Sequence, residues 1–318
     1  MVIEFLQIDF PALLAATLAG IVCGLLGNLL VLRRQSLMGD AISHAVLPGI
    51  VLSFLLTGGL HATSVMVGAT LSATFAALLI EGIRRLGAIE PGASMGVVFT
   101  LMFAIGILLV SSGDSQNVHL EPEHVLFGQL ENVIWLDATG WQDLLSLKAL
   151  ASLPAEVLLL AGVLLATVVF LTAFHKELKV TSFDPAFASA LGIPAILFHL
   201  LLMIMVAVAT IAAFTAVGSI LVIGLLVCPA ATARLLTDNY RTQMLLSALL
   251  AAVASILGYL LGSLLPLQLG WTFSLSASGM ITVVAGLMFG CVALWRVRDQ
   301  RIDSDALSLN RTDLKSDA

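Results

Sequence analysis

Charge is what this sequence has least of. Only 11% of its 318 residues are Asp, Glu, Lys or Arg, against about 25% in soluble chains. That is too little polarity to cover a water-exposed surface, and the mean hydropathy of +1.07 points to a chain that lives in lipid. No lysine directly follows a glycine, which excludes a P-loop, whose lysine contacts the nucleotide phosphates. No His-Glu-x-x-His run occurs either, so the zinc-peptidase signature is missing. Cysteine is scarce: Cys23, Cys228 and Cys291 each fall inside an apolar run, where they serve as small packing residues and form no external disulfide pair. The net charge of −6 is carried by loops and the C-terminal tail and says little about partners; no nucleic acid is expected among them.

Long apolar runs are what is present. They occupy 11–32, 41–60, 63–83, 93–112, 155–174, 195–214, 217–236, 243–265 and 278–295. Most reach the ~20 residues a helix needs to cross the hydrocarbon layer. The class expected is an all-α integral membrane protein, a polytopic bundle of eight or nine spans, the uncertainty lying in the nearly continuous stretch 195–236. The first run is too long for a signal peptide and reads as a retained span. Basic residues follow alternate spans: Arg33 and Arg34, Arg84 and Arg85, Lys176 and Lys179, Arg234 and Arg241, then Arg296, Arg298 and Arg301. By the positive-inside rule these ends are cytoplasmic, which places the N-terminus outside and the C-terminus in the cytoplasm. Residues 1–295 read as one transmembrane domain and 296–318 as a polar cytoplasmic tail, expected to be disordered.

Two polar segments interrupt the apolar pattern. The external one, 113–153, carries Asp114, Glu121, Glu123, Glu131, Asp137 and Asp143 against a single Lys148. The cytoplasmic one runs from His175 to Pro194. Within it Asp184 is placed to cap a helix, Pro185 suits the first turn and Gly192 a stop, predicting a short helix over 184–192. Phe183, Phe187 and Leu191 then project from one face. Glycines at four-residue spacing (Gly20 and Gly24, Gly258 and Gly262, Gly286 and Gly290) suit close helix packing, with a subunit interface as the alternative.

Chemistry concentrates in the run RRQSLMGDAISHA, 33–45. Asp40 and His44 stand one helical turn apart and share a face. A carboxylate oxygen with an imidazole nitrogen suits a first-row divalent cation such as manganese, zinc or iron. The spacing fits equally well an Asp40 that caps the helix and a pair that bonds backbone or water at the membrane surface. His199, Asn28 and the external run HLEPEH, His119 to His124, are weaker candidates, each explained as well by ordinary hydrogen bonding or solvation.

The run LRRQSLMGDAISHAVLPGIVLSFLL closely resembles the signature region of the permease subunits of bacterial manganese, zinc and iron ABC importers. VHLEPEHVLFGQL resembles the external segment of that family, VTSFDPAFASALGIP its coupling helix, and VGSILVIGLLVCPAATARLLTD the span that follows. The resemblance covers roughly 11–295. It implies a fold related to the vitamin B12 importer permease, in the bacterial cytoplasmic membrane, with no activity as an enzyme. It implies a pathway built from two permeases, identical or paralogous, a cytoplasmic ABC ATPase that uses ATP, and an external binding protein that delivers the metal. It further implies that Asp40 and His44 handle the metal in transit. Asp184, Pro185, Phe187, Leu191 and Gly192 would form the coupling helix that meets the ATPase. The wording MGDAISHAVLPG is closer to the manganese and iron branch than to the zinc branch. The rival reading is a proton- or sodium-coupled secondary transporter, in which Asp40 and His44 relay protons.

Overall fold

Inside lipid every backbone N–H and C=O must find its partner within the segment, so a long apolar run has little choice but to form a helix. A computed structural model describes residues 2–57, 62–112, 130–138, 140, 142, 146, 151–268 and 275–316, and among them the regular structure is entirely helical. Helix α1 (Phe10–Leu32) follows a π-helical turn, Phe5–Asp9. It is followed by α2 (Met38–Ala45), α3 (Leu47–Thr57), α4 (Ala62–Gly87), α5 (Pro91–Ser112) and α6 (Ala155–Ala173). Next come the short α7 (His175–Phe183) and α8 (Pro185–Ala190), then α9 (Ala195–Val217), α10 (Ser219–Leu236), α11 (Tyr240–Tyr259) and α12 (Ala277–Ser316).

Nine stretches among the described residues are long and apolar enough to cross a membrane, with α2 and α3 together making one of them, Met38–Thr57. The ambiguous stretch 195–236 resolves into two helices. Gly218, at φ 87°, breaks the chain between α9 and α10, a backbone conformation open to glycine and costly for other residues. The break between α2 and α3 has a different cause. Pro48 has no N–H to give to the carbonyl of His44 four residues earlier, so the helical ladder is interrupted just past that histidine.

Without a hydrophobic drive between helices in lipid, packing relies on small residues and buried polar pairs. Helix α1 is the hub. Gly20 and Gly24 lie against Ser255, Ala251 and Ser247 of α11, and the Ser247 hydroxyl donates to the Gly24 carbonyl at 2.7 Å. Four residues on, the Gln243 amide donates to Asn28 Oδ1 at 2.6 Å, both side chains fully buried. Gly258 and Gly262 pack on α12, whereas Gly286 and Gly290 meet no neighbour within 4 Å among the described residues. Two contacts tighter than these escape the four-residue spacing. Gly27 meets the Leu226 carbonyl of α10, and Gly49 meets Gly68, joining α3 to α4.

At the N-terminal end of α1, Trp135 is buried with Leu6 and Ala138 against Phe10. It is fastened by its indole N–H to Ser152 at 3.0 Å and by its backbone N–H to the Gln7 carbonyl at 2.8 Å. Most of the acidic external segment, including Asp114, His119, Glu121, Glu123, His124, Asp143 and Lys148, lies outside the described residues. The boundary expected at 295 falls inside α12, whose apolar part extends to Asp299. All three cysteines are free thiols, with Cys23 buried and Cys291 exposed on the outer surface of the bundle.

Candidate functional site

Helix α2 begins at Leu37 as N-cap with no side-chain capping bond, so Asp40 sits within the first helical turn and does not cap it. His44 follows one turn later on the same face, its Nε2 3.4 Å from Asp40 Oδ1. Both side chains are a little over one third exposed, on a face that α5 covers only in part. The imidazole is steadied by Phe99 and Phe103 of α5, each with its ring centroid 5.6 Å away. Two ligands about 2.1 Å from one cation, at a tetrahedral angle, stand about 3.4 Å apart, so the observed separation suits shared coordination. Among the described residues no group of three or more His, Cys, Asp or Glu converges anywhere. Among the described residues this pair therefore offers one oxygen and one nitrogen, short of a full shell.

The pair lies in the first two turns of the span that starts at Met38, within about 10 Å of that end at 1.5 Å rise per residue. Arg33 and Arg34 stand just before it. The turn joining α1 to α2 is tied at both ends: Gln35 N–H donates to the Leu30 carbonyl at 2.8 Å, and Met38 N–H to the Gln35 carbonyl at 3.0 Å. Arg34 within it adopts φ 58°, an uncommon backbone setting for a side-chain-bearing residue.

His199 and Asn28 are not part of this pair. Asn28 bonds Gln243 between helices, as described above. His199, buried near the start of α9, is held on both ring nitrogens: Arg33 Nη1 lies 2.9 Å from Nδ1, and Glu81 Oε2 lies 2.9 Å from Nε2. A guanidinium only donates, so Nδ1 is the acceptor, and the ring proton resides on Nε2, where it is donated to Glu81. Glu81 Oε1 in turn accepts from Arg84 at 2.8 Å. Arg33 spends its remaining N–H groups on Ser182 Oγ and Thr181 Oγ1 of α7, both at 3.0 Å. Burial pushes the Arg33 guanidinium down to about 10, which leaves it charged at neutral pH. Nothing in the sequence pattern pointed to this cluster, because its members come from four separate helices.

The polar segment His175 to Pro194 folds as its local signals suggest. Asp184 caps α8, its Oδ1 accepting from Phe187 N–H at 2.9 Å. Pro185 opens the helix, and Gly192, at φ 79°, closes it, with its N–H on the Ser189 carbonyl and that of Ile193 on the Ala188 carbonyl, both at 3.0 Å. Phe183, Phe187 and Leu191 are each more than half exposed. Phe183 also sits edge-on to Tyr240 at 6.4 Å, so of the three it alone makes a ring contact with a neighbouring helix. A Gly-x-Ser-x-Gly run, Gly92 to Gly96, occurs at the start of α5. Its Ser94 is fully buried, and the hydroxyl is committed to the Pro91 carbonyl at 2.9 Å. It lacks the exposed strand-to-helix turn that makes such a serine a nucleophile.

Residues 4–296 match the ABC 3 transport family. The chain is 37% identical over 304 residues to the manganese transport system membrane protein MntD of Bacillus subtilis (strain 168), covering 95% of this chain and 97% of that protein. It is 36% identical over 285 residues to the zinc transport system membrane protein TroD of Treponema pallidum (strain Nichols), covering 89% and 72%. Among solved structures it resembles PsaBC from Streptococcus pneumoniae in complex with Fab, with a TM-score of 0.66 at 32% identity over 89% of this chain and 90% of that one.

Proposed function

The chain belongs to the ABC 3 transport family, and from that premise we propose that it is the membrane-spanning permease subunit of an ATP-driven importer for a divalent transition metal ion. Manganese is the first choice of cargo, with zinc or iron next, since relatives named for manganese and for zinc transport align along most of its length. The observation that carries the reading is the Asp40–His44 pair. It places one hard oxygen and one borderline nitrogen on a partly open face of a span whose further course is apolar. Two copies, or this chain with a paralogue, would bring two carboxylates and two imidazoles to one axis and complete a four-ligand shell. Two ligands per chain also keep the cation weakly held until the copies close, as a conducting pathway requires.

The chain itself has no phosphate-binding lysine, so ATP hydrolysis is assigned to a separate cytoplasmic ABC subunit. Helix α8 is its docking element: capped at both ends, short, and presenting Phe187 and Leu191 outward. Six residues are too few for a helix stable on its own in water, and burial of that apolar face against a partner adds what the caps do not. With basic residues following alternate spans, α8 and the mouth of α2 lie on the cytoplasmic side, and the N-terminus faces outward, where an external binding protein delivers the metal.

The test is uptake. Asp40→Ala and His44→Ala should each abolish accumulation of radioactive Mn²⁺ in cells or proteoliposomes, while membrane insertion and co-purification of the ATPase stay intact. Normal import by both variants would make the pair structural. A proton gradient that drives import without ATP would favour the secondary-transporter reading instead.

A further inference from the structure

The Arg33 cluster sits where the docking segment meets the bundle, and donor and acceptor are fixed at each of the three contacts Arg33 makes. The hydroxyls of Thr181 and Ser182 spend their protons on backbone carbonyls one turn back, Glu177 at 2.8 Å and Leu178 at 2.6 Å. They are therefore acceptors toward Arg33, as the two 3.0 Å contacts require. His199 accepts from Arg33 and donates to Glu81, which also accepts from Arg84. One guanidinium thus bridges α7, which leads directly into α8, to α9, and through His199 to α4. It is also the residue that ends α1 and opens the hydrogen-bonded turn into α2. Charge-assisted bonds of this kind are short and directional, and a guanidinium holds several at fixed angles where an ammonium cannot.

We infer that Arg33, relayed through His199 and Glu81, is the positioning residue that carries motion of the docking helix to the helix bearing Asp40 and His44. The inference rests on the reading of α8 as the ATPase-docking element. Movement of α7 and α8 pulls Arg33 through Thr181 and Ser182. The tied turn after Arg33 has no slack, so α2 follows, while His199 and Glu81 make α9 and α4 follow together. Loss of the relay leaves the docking surface intact and disconnects it from the pathway.

The histidine's tautomer supplies a discriminating variant. A glutamine at 199 presents an amide N–H for Glu81 and a carbonyl oxygen for Arg33, the same donor and acceptor as the neutral ring, whereas leucine presents neither. The experiment uses the permease assembled with its ATPase in proteoliposomes, reading radioactive Mn²⁺ taken up per ATP hydrolysed beside ATPase co-purification and a melting scan. His199→Leu should lower uptake per ATP about tenfold, that is, by about 1.4 kcal/mol, with ATPase binding unchanged. His199→Gln should stay within about twofold of the parent, that is, within about 0.4 kcal/mol. Arg33→Lys, which keeps the charge but cannot reach all three partners, should fold and show the same loss of coupling; it decides the matter if His199→Leu does not assemble. Unchanged uptake per ATP in both His199→Leu and Arg33→Lys overturns the inference, as does equal loss in His199→Gln and His199→Leu. If the parent complex itself binds ATPase and imports no Mn²⁺, it is the proposed function that fails.

Discussion

The buried pair between α1 and α11 allows a prediction with a worked magnitude. Gln243 Nε2 donates to Asn28 Oδ1 at 2.6 Å, and both side chains are fully shielded. The other end of each amide, Asn28 Nδ2 and Gln243 Oε1, has no hydrogen-bond partner among the described residues. Asn28→Leu therefore removes the one bond the pair makes and leaves the whole Gln243 amide unpaired at 0% exposure. An unsatisfied buried amide costs about 1–3 kcal/mol, and Gln243→Met should cost a similar amount. In the double variant no polar group is stranded, and two apolar side chains of comparable volume meet across the interface. Double-mutant cycles for polar pairs in membrane proteins average about 0.6 kcal/mol and reach about 1.7. With each single at the low end of the unpaired-amide cost, about 1 kcal/mol, and the double near zero, a coupling energy of about 2 kcal/mol is expected, at the top of the range seen for such pairs. The assay is equilibrium unfolding of the four proteins in mixed micelles. Strict additivity, with the double variant as unstable as the two singles summed, would refute the claim that Asn28 and Gln243 matter to each other.

Three further outcomes follow from the packing and the caps. Asp184→Ala deletes the only side-chain cap of α8, worth about 1 kcal/mol; amide exchange across Phe187–Leu191 should quicken, and an unaltered exchange pattern would show the cap to be idle. Gly27→Val forces a side chain onto the Leu226 carbonyl, whereas Gly286→Val meets nothing within 4 Å. The first should lose about 1–3 kcal/mol in a detergent melt and the second almost nothing, so equal losses would contradict the packing. On the proposed docking role of α8, Phe187→Asp or Leu191→Asp should weaken ATPase co-purification without moving the melting temperature, because both side chains, on α8 and at its C-cap, are more than half exposed. A collapsed melting profile would mean instead that they pack on this chain's own spans.

Much of this protein was readable one segment at a time. Apolar length alone marked the spans, because in lipid each segment must satisfy its own backbone whatever its neighbours do. The caps of α8 were equally local: Asp184, Pro185 and Gly192 act on groups within four residues of themselves. That Asp40 and His44 share a face follows from the 3.6-residue turn without knowledge of the rest of the chain. The split of 195–236 into two helices was not legible in hydropathy, which runs almost unbroken there; the backbone angle at Gly218 decided it.

What the chain does between segments was decided by tertiary structure. His199 is 166 residues from Arg33, and as an isolated histidine in an apolar span it could have lined a pathway or packed in a core. Its proton is placed on Nε2 only by the arginine that claims the other nitrogen. Asp40 could have been a cap; the position of Leu37 at the helix start rules that out. Glycines at four-residue spacing pointed to the Gly20/Gly24 and Gly258/Gly262 contacts, yet Gly27 and Gly49 make the closest approaches, and Gly286 and Gly290 meet no neighbour within 4 Å among the described residues. Hydropathy is a sum over neighbours in sequence and survives any arrangement of the helices. Which small residue meets which carbonyl, and which charge finds which partner, depends on how helices cross, and that is a property of the assembled bundle alone.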